Sequence, residues 1–113
     1  MGSAYTSMCN VLNYLVTRLH KLFHFQALLD LHGGQGSQNG FDNSGKRGQI
    51  HFQDDDNAKE AVYVLGQMAL LLKSWIDEGS IKAETIYGME LLNEPAGKVN
   101  LGPTYLHDLG GIN

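Results

Sequence analysis

The sequence has a single cysteine, Cys9. An internal disulfide is therefore excluded, and so is a zinc site built on several thiolates. No apolar run approaches the ~20 residues needed to span a bilayer, so no membrane partner is expected. Charge is sparse: 8 Lys and Arg stand against 12 Asp and Glu, net −4, with no block of either sign. Such a balance offers no basic face to a phosphate backbone, and nucleic acid is not an expected partner. The beginning, Met1-Gly2-Ser3-Ala4-Tyr5-Thr6, lacks the basic end and apolar run of a secretory signal. Gly2 with Thr6 fits the N-myristoylation pattern, which is short and often matched by chance.

What is present suffices for one small domain. The 113 residues are 42% hydrophobic, which allows a modest core and argues against disorder. Residues 9–23 carry Val11, Leu12, Leu15, Val16, Leu19, Leu22 and Phe23 in a stripe of helical period, with Asn13, Thr17, Arg18 and Lys21 on the other side. Residues 25–31 read as a continuously apolar strand suited to burial on both faces. Residues 33–50 hold six glycines and no periodicity. Structureless loops above ~12–15 residues are uncommon unless functional. A flexible linker is the alternative, but it has no need of Asn39, Phe41, Asp42 and Asn43.

Residues 57–76 form the strongest helix. Ala61, Val62, Leu65, Leu72 and Trp75 keep its spacing, so Trp75 is read as core. Asn57 with Glu60 resembles a capping box, Asp54 to Asp56 suit the positive end of the dipole, and Gly79 is the stop. Residues 84–92 read as a second strand, the tail from Ala96 as loop, and Tyr105 to Leu109 as the beginning of another helix. Helix, strand, helix, strand implies an α/β fold with a parallel sheet and crossover helices. It amounts to about two β/α units, with nothing to close the sheet.

Two apolar runs end abruptly in polar residues: Leu28-Leu29-Asp30-Leu31-His32, and Gly88-Met89-Glu90-Leu91-Leu92-Asn93-Glu94-Pro95. Buried parallel strands deliver side chains to an active-site rim in this way. Glu94 is the leading candidate, since it follows the second strand directly and is fixed by Pro95, whose ring restricts the preceding backbone. Alternation puts Glu90, Leu92 and Glu94 on one face if the strand stays regular, and His32 on the face of Asp30. Taken alone, an exposed loop glutamate explains Glu94 equally well. Other patterns fail. Gly40 to Lys46 imitates a phosphate loop, but Arg47 replaces the required Ser or Thr. Gly34-Gln35-Gly36 lacks the third glycine of a dinucleotide fingerprint. His20 and His24 stand one helical turn apart without a clear third metal ligand, and packing and solvent exposure are the better reading. His51 and His107 have no partner pattern.

These runs resemble the exo-β-1,3-glucanase branch of glycoside hydrolase family 5. The loop of that branch, Gly-Ser-Gln-Asn-Gly-Phe-Asp-Asn-Ser-Gly, runs intact from Gly36 to Gly45 between an Asp-Leu-His and an Asn-Glu-Pro motif. Gln35 stands where the branch usually has proline. The resemblance implies the strand-three to strand-four section of a (β/α)₈ TIM barrel, so that residues 1–113 are an incomplete catalytic domain. It implies retaining hydrolysis of β-1,3-glucan with release of glucose, and no metal or cofactor. Glu94 would be the acid/base and Asn93 the ligand of the sugar 2-hydroxyl. His32 would stand in the pocket, Phe41 would stack on the sugar beyond the scissile bond, and Asp42 and Asn43 would lie beside the glucose.

That chemistry needs two carboxyl groups, one protonating the leaving oxygen and one ionised as nucleophile. Glu94 supplies only the first, because the nucleophile of the family ends strand seven and has no counterpart here. The resemblance also implies an extracellular or cell-wall setting. The alternative expectation is an inactive truncated fragment that at most binds glucan weakly, or that self-associates through uncovered sheet edges.

Overall fold

The computed structural model describes residues 3–54, 56–97 and 99. Its elements are α1 (Ser3–Phe23), β1 (Ala27–Asp30), a 3₁₀ turn at Asp42–Ser44, α2 (Asn57–Asp77), a second 3₁₀ turn at Ala83–Thr85, and β2 (Ile86–Glu90). The expected order is present, and β1 pairs with β2 in a two-stranded parallel sheet. The expected helix at Tyr105 to Leu109, and His107 within it, lie outside the described residues.

The chain divides into two compact units. One holds the residues up to Leu29 together with Leu71–Met89; the other holds Asp30–Leu70 and the residues from Glu90 onward. In the first, Val16, Leu29, Leu72, Trp75 and Ile81 are buried, so Trp75 is core as its spacing predicts. α2 ends as Gly79 predicts. At φ +72, Gly79 donates its N–H to the Ile76 carbonyl while Ser80 donates to Trp75. This is a complete Schellman closure, which satisfies carbonyls the helix end leaves free. Ser80 also accepts a hydrogen bond from Asn13 Nδ2 at its Oγ, 3.1 Å away, and from Thr17 at its carbonyl.

Four expectations need correction in this unit. α1 starts well before residue 9. Its apolar stripe is mostly uncovered: of that set only Val16 is buried, while Val11, Leu15, Leu22 and Phe23 are exposed. Two strands and a few helical turns offer too little surface to cover a whole helix face. β1 is not buried on both sides, because Leu29 is buried and Leu28 is 55% exposed. The predicted opening of the second strand at Glu84 is instead the 3₁₀ turn, with Thr85 buried beneath it.

The second unit is built on α2 and on Phe52. Phe52, Ala61, Leu65, Leu92 and Val99 are its buried apolar residues. The beginning of α2 differs in detail from a capping box. The first helical carbonyl to accept is that of Asp56, from Glu60 N–H. Asn57 turns its side-chain amide to the His51 carbonyl, 2.8 Å away. Lys59, hydrogen-bonded to Asp56, holds that carboxyl below the usual carboxylate range.

Leu65 is fully enclosed whereas Leu70 is 59% exposed on the same helix. Leu65→Ala is expected to cost about 2–5 kcal/mol in denaturant unfolding, by lost transfer energy plus cavity. Leu70→Ala should stay within about 0.5 kcal/mol of the parent chain.

Candidate functional site

Parallel pairing continues past the strands into the second unit. Leu31 N–H donates to the Glu90 carbonyl at 3.2 Å, and Asn93 N–H donates to the Leu31 carbonyl at 3.0 Å. The backbone after His32 and the Asn93-Glu94-Pro95 segment thus emerge side by side. The loop that follows His32 folds back onto both.

Its fixed points are buried amides. Gln38 is 0% exposed, yet every hydrogen-bonding group of its side chain is engaged. Its Oε1 accepts from Gly34 N–H at 3.0 Å, and its Nε2 donates to the carbonyls of His32 at 2.8 Å and Asn93 at 2.9 Å. The Gln38 carbonyl accepts from Ala96 N–H at 3.0 Å. Asn39, 6% exposed, donates from Nδ2 to the Glu94 carbonyl at 3.2 Å and to Asn43 Oδ1 at 3.3 Å. Its Oδ1 accepts from Phe41 N–H at 2.9 Å. The hydroxyls of Ser37 and Ser44, both buried, lie 2.6 Å apart. The linker alternative is thereby removed.

Above these buried groups the predicted site residues face solvent. His32, Phe41, Asp42, Asn43 and Glu94 are exposed, and Asn93 is half-buried. Asn43 Nδ2 donates to Glu94 Oε2 at 3.2 Å, so the loop and the Asn-Glu-Pro motif meet at the carboxylate. His32 Nδ1 lies 2.7 Å from Asp30 Oδ2, as their shared strand face predicts. An ionised carboxylate only accepts, so Nδ1 carries the hydrogen and Nε2 is left for another partner. Asp30 Oδ1 is buried without a hydrogen-bond partner among the described residues. Phe41 is 62% exposed, and Asp42 opens the 3₁₀ turn that carries Asn43.

Glu94 is not delivered by strand alternation. β2 ends at Glu90, and Glu94 has a left-handed backbone with φ +42. That conformation opposes the extended bias a following proline imposes. A non-glycine residue held there costs about 1–3 kcal/mol and persists only where its surroundings over-determine it. Here the hydrogen bonds from Gln38 to Asn93, from Asn39 to Glu94 and from Ala96 to Gln38 bracket the residue.

Gln38 and Asn39 escape the sequence argument as organising residues. Both lie in the loop motif from Gly36 to Gly45, and Asn39 is among the residues a flexible linker does not need, but neither signal assigns them a structural role. His51 is also partnered, against expectation: Nδ1 pairs with Asp54 and Nε2 lies 3.0 Å from Gln49 Oε1. A cleft of about 620 Å³ is lined by Gly34, Gly36, Ser44, Lys46, His51 and Asp54 among others, and by none of His32, Phe41, Asn93 and Glu94. His20 and His24 meet ring edge to face at 6.2 Å, a packing contact. Among the described residues no group of three or more His, Cys, Asp or Glu is placed to hold a metal ion.

Over 73 residues, 65% of its length, the chain is 48% identical to a glucan 1,3-β-glucosidase of Candida oleophila, of which it covers 16%. Over 79 residues, 70% of its length, it is 43% identical to glucan 1,3-β-glucosidase 2 of Wickerhamomyces anomalus, of which it covers 17%. Over 71 residues, 63% of its length, it is 45% identical to glucan 1,3-β-glucosidase I/II of Saccharomyces cerevisiae, of which it covers 15%. The chain therefore spans only 15–17% of the length of these relatives. No protein-family model matches it.

The loop geometry makes a graded prediction. A Cβ on Gly36, at φ +78, would stand 2.6 Å from Asn57 Nδ2 and 2.7 Å from the His51 carbonyl oxygen. Gly45 has a similar φ of +80 but open space around it. Gly45→Ala is expected to lose about 1–2 kcal/mol from backbone conformation alone. Gly36→Ala should lose measurably more in the same denaturant titration, because backbone must also move.

Proposed function

We propose that this chain is the acid/base-bearing segment of a β-1,3-glucan hydrolase. The observation that carries the reading is the hydrogen bond between Asn43 of the loop and the Glu94 carboxylate. It joins the two sequence features on which the resemblance rests, at a carboxyl side chain able to exchange a proton with a leaving oxygen. Similarity to proteins named glucan 1,3-β-glucosidases supports the substrate class. The strained backbone of Glu94 supports a functional position, since such residues cluster at active sites.

In this reading the barrel is a (β/α)₈ barrel of family 5 type, and β1 and β2 are its third and fourth strands. Glu94 protonates the glycosidic oxygen as the bond to the anomeric carbon breaks, then takes a proton from the water that releases the sugar. Asn93 hydrogen-bonds the 2-hydroxyl of that sugar, His32 lines the pocket, and Asp42 and Asn43 lie beside the glucose. Phe41 offers an exposed ring on which the next sugar stacks. A retaining mechanism also needs a nucleophilic carboxylate ~5–5.5 Å away, and the reading seeks it outside these residues. The setting is extracellular or cell wall. Among the described residues no helix is long and apolar enough to cross a membrane.

The test uses a polypeptide that contains this segment and releases glucose from laminarin. Glu94→Gln should lower turnover by about 10²–10⁴, the usual worth of a positioned acid. The loss should shrink on an aryl glucoside whose leaving group needs no proton. Undiminished laminarin turnover removes Glu94 from the chemistry.

A second reading, self-association of the 113-residue chain, is favoured by the uncovered apolar residues Met8, Val11, Leu22 and Phe25. Sedimentation of the isolated chain should then show concentration-dependent dimers or larger species. A monomer across the micromolar range ends that reading.

A further inference from the structure

We infer that Asn39, a residue with no route to substrate, is the positioning residue that sets the backbone and the polarity of the candidate site around Glu94. This rests on the proposed function only in treating Phe41, Asn43 and Glu94 as site residues. Asn39 is 6% exposed, so its contacts are internal. One carboxamide reaches all three of those residues. Its Oδ1 accepts the Phe41 N–H, one Nδ2 hydrogen goes to the Glu94 carbonyl, and the other goes to Asn43 Oδ1.

The last of these bonds decides the sense of the next. An asparagine side chain can present either an oxygen or an NH₂ to a neighbour. Asn39 occupies the oxygen of Asn43, so Asn43 presents its NH₂ to Glu94 Oε2. Asn39 thus acts on Glu94 twice, through the carbonyl that helps hold its left-handed backbone and through the amide that faces its side chain.

The Phe41 contact provides an internal control. Asn39→Asp keeps an oxygen for the Phe41 N–H but has no hydrogen for Asn43 or Glu94. Asn39→Ala loses both. The experiment is NMR of the 113-residue chain. A positive φ brings the amide hydrogen and Hα of one residue close, so Glu94 in the parent chain should give a strong intraresidue cross-peak. In Asn39→Asp that cross-peak should fall to the level of ordinary residues while the Phe41 amide stays protected from exchange. In Asn39→Ala the Phe41 protection should go too. Core signals of Leu65 and Phe52 should persist in both.

An unchanged Glu94 cross-peak in either variant overturns the inference. So does loss of Phe41 protection in Asn39→Asp together with Glu94, since a merely structural amide would fail uniformly. Asn43→Ala decides the matter even if both Asn39 variants unfold, because Asn43 is exposed. Asn39 still holds the Glu94 carbonyl there, so the strong cross-peak should remain; its loss would assign the hold to Asn43. None of these readouts involves glucan, so the Glu94→Gln turnover test stands or falls separately.

Discussion

The side chain of Gln38 is the contact on which the candidate site depends. Burying an amide without partners costs a few kcal/mol, so a fully enclosed glutamine is tolerated only where each polar group is met. In this chain the partners are the Gly34 N–H and the carbonyls of His32 and Asn93. The three belong to the loop, to the end of β1 and to the segment after β2. One carboxamide thus ties together stretches that sequence separates by up to 55 residues. Removing it would leave the buried Gly34 N–H unmet and take a partner from the His32 and Asn93 carbonyls.

A division of labour follows from that arrangement. Ser37, Gln38, Asn39 and Ser44 are buried and satisfy one another and the backbone. His32, Phe41, Asp42, Asn43 and Glu94 stand on the surface above them. Long loops are ordinarily mobile and solvated. This one carries its own polar interior, which limits the positions its exposed side chains can reach. It also explains how Glu94 keeps an unfavourable φ beside a proline. Residues 93–96 are held by hydrogen bonds with Gln38 and Asn39, in addition to the pairing of Asn93 N–H with the Leu31 carbonyl.

Local signals in the sequence were legible where the physics is local. The apolar spacing of Ala61, Leu65, Leu72 and Trp75 located α2, and Gly79 located its end, because helix periodicity and the Schellman closure involve residues a few positions apart. The pairing of His32 with Asp30 followed from strand alternation. The reasoning failed where partners are distant. β1 was expected to be buried on both faces, but Leu28 faces solvent, since burial depends on what packs above a strand. Glu94 was expected to share a strand face with Glu90 and Leu92, but β2 ends at Glu90 and bonds from residues 38 and 39 hold the segment in which Glu94 has φ +42. The positions of Glu94 and Asn43 were marked by motif, whereas their meeting at 3.2 Å could be found only in three dimensions.

The polar and apolar surfaces of the chain also carry different weight. Every residue of the candidate site, and every hydrogen bond that positions it, lies within the unit formed by Asp30–Leu70 and the residues from Glu90 onward. The exposed apolar stripe of α1 belongs to the other unit. Hydrophobic burial is non-directional, and an uncovered stripe fixes neither the identity nor the geometry of what covers it. Hydrogen bonds are directional, and a network with its donors and acceptors matched specifies one arrangement of its atoms. The geometry around Glu94 is therefore a property of the loop and the Asn-Glu-Pro segment themselves. It requires no contribution from the surface that the apolar residues of α1 leave open.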